Sequence, residues 1–328
     1  MSAARFGPYR ILRCLGQGGM AEVWLAEREG PQGLTKRLAL KRIRPALRED
    51  AEFVRLFLRE AEIALPLAHP NLVQLYGVEE IDGEPVLAME YVDGVDLGRA
   101  PCGRLTPSLI AHVGLQVLDA LAYLHDHPQG RVLHRDVSPG NLLLSRDGFV
   151  KLADFGVARL ADAAPAAQTA LHGTWRYAPP ERKAGRPLDA SSDLYSLALV
   201  LLETVGGFPA GPLDTEAQRR AWLDDAFSAP FRPLAETLRP WLADEPARRP
   251  ASARAAMAAL RPHAAADAVA SRDELARIVA ECAAAEASGE RRRTQVLPPA
   301  ETASENVVAR NRGHRRWWIL SALAAAIL

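Results

Sequence analysis

The alternation of apolar and polar residues predicts strands in the amino-terminal part of the chain. Tyr9–Leu15 and Glu22–Glu27 alternate as strands do, and the glycines between them indicate a hairpin. Further strands are predicted at Leu38–Ile43, Val73–Ile81 and Pro85–Tyr91. A small, mostly antiparallel sheet is therefore expected here.

One helix interrupts these strands. Apolar residues recur at helical spacing between Glu49 and Leu67, and Pro66 and Pro70 bring the pattern to an end. A single helix packed against the predicted sheet follows from this spacing.

Helical spacing dominates the chain from Thr106 onward. Thr106 and Pro107 form a typical cap and first-turn pair. Leu194–Val205 is apolar on nearly every side, which predicts a central buried helix that ends at Gly206 and Gly207.

The last part of the chain changes in composition. Residues 263–316 are rich in Ala, Glu and Arg, and the spacing of Ser271 and Glu274 predicts a capping box at the start of an amphipathic helix. A disordered linker is expected next. The final stretch, Trp317–Leu328, is apolar except for Ser321 and follows several arginines. At about 1.5 Å per residue it is too short to cross a bilayer, although its flanks resemble a membrane boundary.

Bulk properties place this chain among globular proteins. It has 328 residues, 48% hydrophobic and 24% charged. Because 40 basic residues balance 40 acidic ones, no net field favours nucleic acid as a partner. Three distant cysteines predict neither a metal site nor a disulfide framework, and the amino terminus lacks the pattern of a signal peptide. Only four basic residues are lysines, so each lysine is a candidate for a role that arginine cannot fill.

Two weak signals lie on the predicted sheet. Glycines at 16, 18 and 19 join two strands, where they could cover a phosphate or form an ordinary turn. Lys41 lies between apolar residues on the next strand, as either an exposed edge residue or a phosphate ligand. Glu60 in the following helix is its candidate partner. Glu62 points to another side of that helix, and both glutamates could instead be solvated.

An ordered series of polar residues is far more specific. His134-Arg135-Asp136 is followed five residues after the aspartate by Asn141, and Asp154-Phe155-Gly156 comes after a predicted strand. Two carboxylates and an amide suit Mg²⁺ and phosphate chemistry, with one carboxylate left to orient an attacking hydroxyl.

With these motifs in order, the chain resembles the eukaryotic-type (Hanks-type) protein kinases of the bacterial serine/threonine branch over roughly residues 9–262. The resemblance implies an α+β bilobal fold, with a small antiparallel sheet lobe carrying one key helix and a larger, mostly helical lobe. The domains expected on this basis are an N-terminal tail (1–8), a kinase domain (9–262, with lobes 9–92 and 93–262), a helical and disordered juxtamembrane linker (263–313) and a basic, apolar tail (314–328).

The resemblance also implies a role for individual residues toward ATP and Mg²⁺. Asp136 is implied as the catalytic base, Lys41 as a phosphate ligand paired with Glu60, and Asn141 and Asp154 as metal ligands. The implied nucleotide-binding residues are Leu15, Gly16, Gly18, Val23, Ala39, Lys41, Met89, Glu90, Val92, Asp96 and Leu143.

Further matches concern regulation and architecture. Asp193 matches an aspartate that braces the catalytic loop, and Arg249 matches an arginine that pairs with Glu181. Arg135 is of the type that binds a phosphorylated activation segment, in which Thr169 is the candidate acceptor. Gly173 and Thr174 match the substrate-closing segment in the serine/threonine manner.

One departure from the family pattern bears on activity. Ser138 stands where serine/threonine members usually have a lysine that contacts the γ-phosphate. The expected function is a serine/threonine protein kinase that acts on proteins and on itself, with a nucleotide-binding pseudokinase scaffold as the alternative. A small-molecule kinase would lack Gly173-Thr174 and Asp193. The expected partners are protein substrates, ATP and a second copy of the chain, and the expected location is the cytoplasm, with the tail as a tether to the inner membrane.

Overall fold

The computed structural model describes residues 5–100, 104–155, 175–207, 213–227 and 229–287. The chain divides into two compact units, Met1–Ala283 and Ala284–Leu328, and the first contains all the elements below apart from the last turn of the final helix.

A six-stranded antiparallel sheet forms the amino-terminal lobe. Its strands are β1 (Arg5–Phe6), β2 (Tyr9–Gln17), β3 (Ala21–Glu29), β4 (Thr35–Ile43), β5 (Leu75–Ile81) and β6 (Glu84–Glu90). They lie in the order β1-β2-β3-β4-β6-β5. The turn between β5 and β6 places Asp82 and Gly83 at φ values of 53° and 78°, a left-handed conformation that this residue pair tolerates well. The predicted strands are all present.

Helix α1 (Ala51–Ala64) lies between β4 and β5 in the chain. The helix begins later than the predicted Glu49, because the side chain of Asp50 caps it by accepting a hydrogen bond from Glu52 N. It ends before Pro66. Its buried face consists of Leu56, Phe57, Glu60 and Ala61, so one carboxylate lies among apolar side chains.

A second lobe follows, with a small sheet and most of the helices. Its elements are β7 (Gly94–Asp96), α2 (Pro107–His125), β8 (Leu142–Ser145), β9 (Val150–Leu152), α3 (Pro180–Lys183), α4 (Ala190–Gly206), α5 (Glu216–Ala226), α6 (Arg232–Leu238), α7 (Ala253–Leu260) and α8 (Ala268–Ala287). Strands β7, β8 and β9 are antiparallel neighbours in that order. The predicted bilobal fold is confirmed.

The core of this lobe is built on α2 and α4. Thr106 caps α2 by accepting a hydrogen bond from Leu109 N, as predicted, and Asp189 caps α4. Within the described ranges, only α2 is long and apolar enough to cross a membrane, but 61% of its apolar window is buried inside the protein. It is therefore a core helix. The predicted apolar helix at Leu194–Val205 is also confirmed, and its residues 197–202 are at most 1% exposed.

A buried ion pair ties the base of α3 to the loop before α7. Arg249 donates to both carboxylate oxygens of Glu181 at 2.7 Å, and its guanidinium lies over the Tyr195 ring. Burial raises the pKa of Glu181, but hydrogen bonds from Arg249 and Ser192 outweigh it and hold that pKa below its ordinary value. The predicted pairing of these two residues is confirmed.

Helix α8 corrects one prediction from the sequence. It begins at Ala268, so Ser271 lies inside it and does not form the predicted capping box. Asp267 caps it instead, accepting from Val269 N and Ala270 N at 2.9 and 3.0 Å. The predicted amphipathic face is confirmed, because Leu275, Ile278, Val279 and Cys282 join the same core as α2. The boundary at residue 262 stays a prediction, although the compact unit extends to Ala283.

Replacement of Arg249 by alanine should lower the free energy of unfolding by about 3–5 kcal/mol, because it leaves the buried Glu181 carboxylate without its cation. Urea denaturation measures this change. Arg254→Ala is the matched control: Arg254 forms an ion pair with Asp126 in which both side chains are more than half exposed, so its loss should change stability by at most about 1 kcal/mol. Equal effects of the two substitutions would contradict the assignment.

Candidate active site

A buried lysine with two carboxylate partners lies where the lobes meet. Lys41 points from β4 and donates to Glu60 of α1 at 2.6 Å and to Asp154, which follows β9, at 3.0 Å. Lys41 and Glu60 are only 8% and 6% exposed. Burial alone lowers the pKa of Lys41, but the charges of Asp154 and Glu60 outweigh it and raise that pKa above its ordinary value. The lysine therefore stays charged.

Glu62, the alternative partner for Lys41, does not contact it. Glu62 is exposed on the far side of α1 and pairs with Arg59 at 2.8 Å. The helical spacing in the sequence therefore selected the correct glutamate for Lys41.

Asp136 and Asn141 are joined by hydrogen bonds within the loop before β8. The Asn141 amide nitrogen donates to the backbone oxygen and to Oδ2 of Asp136, both at 2.9 Å. Because the nitrogen faces Asp136, the amide oxygen is the atom that Asn141 presents elsewhere. The backbone oxygen of Asn141 accepts from Ala153 N at 2.8 Å, which holds the residue beside Asp154. An amide oxygen and a carboxylate are hard donors that fit Mg²⁺.

The backbone of this loop is held by a buried carboxylate from α4. Asp193 accepts from His134 N at 2.9 Å, from Arg135 N at 2.8 Å and from His125 Nε2 at 2.9 Å. Arg135 has a φ of 67° and Asp154 a φ of 56°, both unusual for residues with a side chain. Asp193 therefore contacts the loop as predicted, and its hydrogen bonds support a loop with a strained backbone at Arg135.

Burial acts in opposite ways on two members of this network. Burial raises the pKa of Asp193, but hydrogen bonding and charge from His125, with further bonds from the loop, outweigh it and hold the pKa below its ordinary value. Burial also lowers the pKa of His134, and the surrounding carboxylates only partly oppose that shift. In the resting state Asp193 is therefore ionised and His134 is neutral.

The predicted nucleotide-binding residues of the first lobe lie on adjoining strands. Ala39 pairs with Met89, Lys41 with Val23, and Val23 with Gly16 across the sheet. Ala39 and Lys41 are two residues apart, so they share one face of β4. A Cβ added at Gly16 would meet no atom within 4 Å, which leaves room for a ligand along this loop. Leu15 lies just before it and Gly18 just after β2.

The remaining predicted residues line the connection between the lobes. Glu90 ends β6, with its backbone nitrogen bonded to Gln74 O at 2.8 Å, and Val92 follows two residues later. Leu143 on β8 pairs with Asp96 on β7. The carboxylate of Asp96 accepts from Arg99 N at 3.1 Å and so caps a short helical turn.

One interaction in this region was missed from the sequence. Lys151 on β9 donates to the carboxylate of Glu90 at 2.9 Å and so joins the strand before Asp154 to the first lobe. The scarcity of lysine in this chain was the available signal, because Lys151 is one of only four.

Some predicted features lie outside the described residues, namely Gly156, Thr169, Gly173 and Thr174. Ser138 is within them. It is 2% exposed, and its backbone oxygen accepts from Asn141 N at 3.0 Å.

Comparisons with known proteins agree on one family. Residues 9–244 match the protein kinase domain. Serine/threonine-protein kinase PrkC of Bacillus subtilis (strain 168) is 37% identical over 204 residues, which are 61% of this chain and 31% of PrkC. Tyrosine-protein kinase MasK of Myxococcus xanthus (strain DK1622) is 35% identical over 212 residues, 61% of this chain and 33% of MasK. The chain thus spans about a third of the length of these relatives.

A solved structure gives the same result for the fold. The crystal structure of the Mycobacterium tuberculosis PknI kinase domain is 32% identical, with a TM-score of 0.57, and the match covers 80% of this chain and 99% of that one.

The free energy of unfolding should fall as the pH falls from about 7 to 5. His134 stays neutral in the folded protein because burial lowers its pKa, whereas in the unfolded chain it takes up a proton below about pH 6.5. The unfolded state then binds more protons, at up to ~1.4 kcal/mol per pH unit for each such histidine. Asp193 adds nothing in this range, because its lowered pKa keeps it ionised.

Urea denaturation at several pH values measures this slope. His134→Phe should flatten it even if the substitution lowers stability at every pH. A slope that is the same in His134→Phe and in the original chain would assign the proton uptake to other groups, such as His69 and His112, whose pKa values are also lowered by burial.

Proposed function

The chain belongs to the protein kinase family, and on that basis we propose that it is an ATP- and Mg²⁺-dependent serine/threonine protein kinase of the bacterial Hanks-type branch. The supporting observation is the buried Lys41 with its partners Glu60 and Asp154, beside the linked pair Asp136 and Asn141. Kinase chemistry consists mainly of positioning and charge stabilisation, and these five side chains supply both.

Each polar residue of the site has a separate task in this proposal. Lys41, kept charged and oriented by Glu60, binds the α- and β-phosphates. Asn141 and Asp154 hold Mg²⁺ through an amide oxygen and a carboxylate; the ion, when bound, neutralises charge on the phosphates. Asp136 orients the incoming hydroxyl and accepts its proton as the oxygen bonds to the γ-phosphorus and the bond to ADP breaks.

The apolar residues position the nucleotide base. We assign Leu15, Val23, Ala39, Met89, Val92 and Leu143 to its two faces and edge. Because the backbone nitrogen of Glu90 is bonded to Gln74, this residue contacts adenine through its backbone oxygen. Asp96 faces the ribose, and Gly16 and Gly18 let the loop approach the phosphates closely.

Ser138 supports the alternative, a nucleotide-binding pseudokinase. A serine there keeps a hydrogen-bonding group but lacks the positive charge that a lysine would place near the γ-phosphate. The retained base and metal residues favour activity. Phosphate transfer from labelled ATP to casein or to the chain itself distinguishes the alternatives.

The two relatives are named for different acceptor residues. PrkC is named a serine/threonine kinase and MasK a tyrosine kinase, so similarity alone leaves both types open. We favour serine and threonine because Thr174 follows Gly173 as in that branch. Phosphoamino-acid analysis of the labelled product tests the choice. Autophosphorylation would take place between two copies, with Thr169 as its target.

Replacement of Asp136 by asparagine should reduce phosphate transfer by at least about 100-fold, because the neutral amide cannot accept the hydroxyl proton. ADP affinity, measured by calorimetry, should stay the same, since Asp136 is not a nucleotide ligand. Asp225→Asn, at an exposed position of α5, is the matched control and should retain full activity. Undiminished transfer by Asp136→Asn would remove the residue from this role.

Membrane association of the carboxy-terminal tail is a separate proposal. Removal of residues 317–328 should move the protein from the membrane to the soluble fraction of expressing cells, because two tryptophans and an apolar run would be lost. Replacement of the same segment by serine and glycine of equal length is the control for length. If the unaltered chain is soluble, the tail does not act as a tether.

A further inference from the structure

Helix α8 packs tightly against the turn that joins β8 and β9. Gly148 in this turn has a φ of 75°, and a Cβ added to it would lie 2.0 Å from the backbone oxygen of Arg272 in α8. The guanidinium of Arg272 lies over the Phe149 ring, 5.2 Å from its centroid. Backbone and side chain of one helical residue thus both contact the turn.

The rest of α8 is packed into the core, so the helix that contacts the β8–β9 turn is itself held in place. Leu275, Val279 and Cys282 are at most 1% exposed within the main core. Glu281 forms an ion pair with Arg104, just before α2. The turn is therefore held against an anchored element.

The hairpin that receives this contact carries the proposed metal ligands at its two ends. Asn141 immediately precedes β8, and Asp154 follows β9 by two residues. The hydrogen bond from Ala153 N to the Asn141 backbone oxygen, 2.8 Å long, closes the open end of the hairpin. Because both strands are short, we expect a displacement of the turn to shift both ligands.

The opposite side of β9 is held by the loop after α1. Asn71 donates through its side chain to Val150 O at 2.8 Å, and its backbone oxygen accepts from Leu152 N at 2.8 Å. The β8–β9 hairpin is thus held by hydrogen bonds with Asn71 at β9 and by packing against α8 at the turn.

We propose that α8 is a positioning element for phosphoryl transfer: through Arg272 it fixes the β8–β9 turn and thereby the separation of Asn141 and Asp154. This proposal rests on the proposed function, since it concerns how the metal-binding pair is held. Arg272 is a positioning residue, because it touches neither nucleotide nor metal. Its Nε atom is buried without a hydrogen-bond partner among the described residues, so the ring contact holds this side chain at some cost in solvation.

The chain offers a matched pair of substitutions for the test. Gly148→Ala introduces both left-handed strain and the clash with Arg272. Gly83→Ala introduces the same strain in another Asp-Gly hairpin turn, at a φ of 78°, but its Cβ would meet nothing within 4 Å. ADP affinity is measured by calorimetry with and without Mg²⁺, and the ratio of the two affinities is the readout. A merely structural role would not change this ratio.

Gly148→Ala should lower the Mg²⁺-dependent gain in ADP affinity by roughly 10-fold or more, as is typical when groups that orient metal ligands are disturbed. Gly83→Ala should leave the gain unchanged. An unchanged gain in Gly148→Ala, or an equal loss in both variants, would overturn the proposal.

Arg272→Ala covers the case in which Gly148→Ala does not fold. It removes the contact with Phe149 from a side chain that is 41% exposed, so the fold should persist. A smaller loss of the gain in the same direction is expected, and Arg272→Lys should restore part of it. No loss in a folded Arg272→Ala protein would overturn the proposal.

Hydrogen exchange separates failure of this inference from failure of the proposed function. The amides of Ser145 and Leu152, bonded to Phe149 O and Asn71 O, should exchange faster in Gly148→Ala than in Gly83→Ala. If the original chain binds no ADP, the kinase assignment fails, and the exchange data still decide whether α8 holds the hairpin. Equal exchange in the two variants would exclude that coupling.

Discussion

The arrangement of the site depends on one buried ammonium group. An isolated charge in the interior is very unfavourable, so Lys41 can lie there only if carboxylates reach it. Glu60 comes from α1 and Asp154 from the segment after β9, and both contact the same Nζ atom. The cost of burying one charge therefore fixes a helix and a loop of different lobes relative to strand β4.

A second buried charge organises the loop that carries Asp136. The carboxylate of Asp193 accepts two backbone amides of this loop and a ring nitrogen of His125. Asp193 extends from α4, whose residues 197–202 are almost fully buried in the core. The loop is therefore attached to a tightly packed helix. The left-handed backbone of Arg135 is tolerated there because these bonds compensate for its strain.

The small sheet of β7, β8 and β9 joins these two centres. Its strands contain Asp96 and Leu143 and are flanked by Asn141 and Asp154, so residues proposed to contact ribose, base and metal share one short framework. Five of its side chains are buried in the main core of the second lobe, namely Val95, Leu142, Leu144, Val150 and Leu152. Further contacts come from Asn71 on one side, from Lys151 with Glu90 across the lobes, and from α8 at the turn.

The local pattern of residues was sufficient to predict most of the secondary structure of this protein. The strands, α1, α2 and α4 follow from apolar spacing and capping residues, and the pairing of Lys41 with Glu60 follows from helical geometry together with a family resemblance. The failure at Ser271 has a local cause too, since Asp267 caps the helix four residues earlier and starts it there.

Contacts between residues distant in the chain could be found only in the folded protein. The pair Lys151 and Glu90 is 61 residues apart in sequence, and the contact of Arg272 with Gly148 joins a carboxy-terminal helix to a turn beside the site. Periodicity reports which face of an element is buried, but not which element covers it. The types and spacing of the residues therefore identify the groups that can perform the chemistry, whereas packing sets how firmly those groups are held.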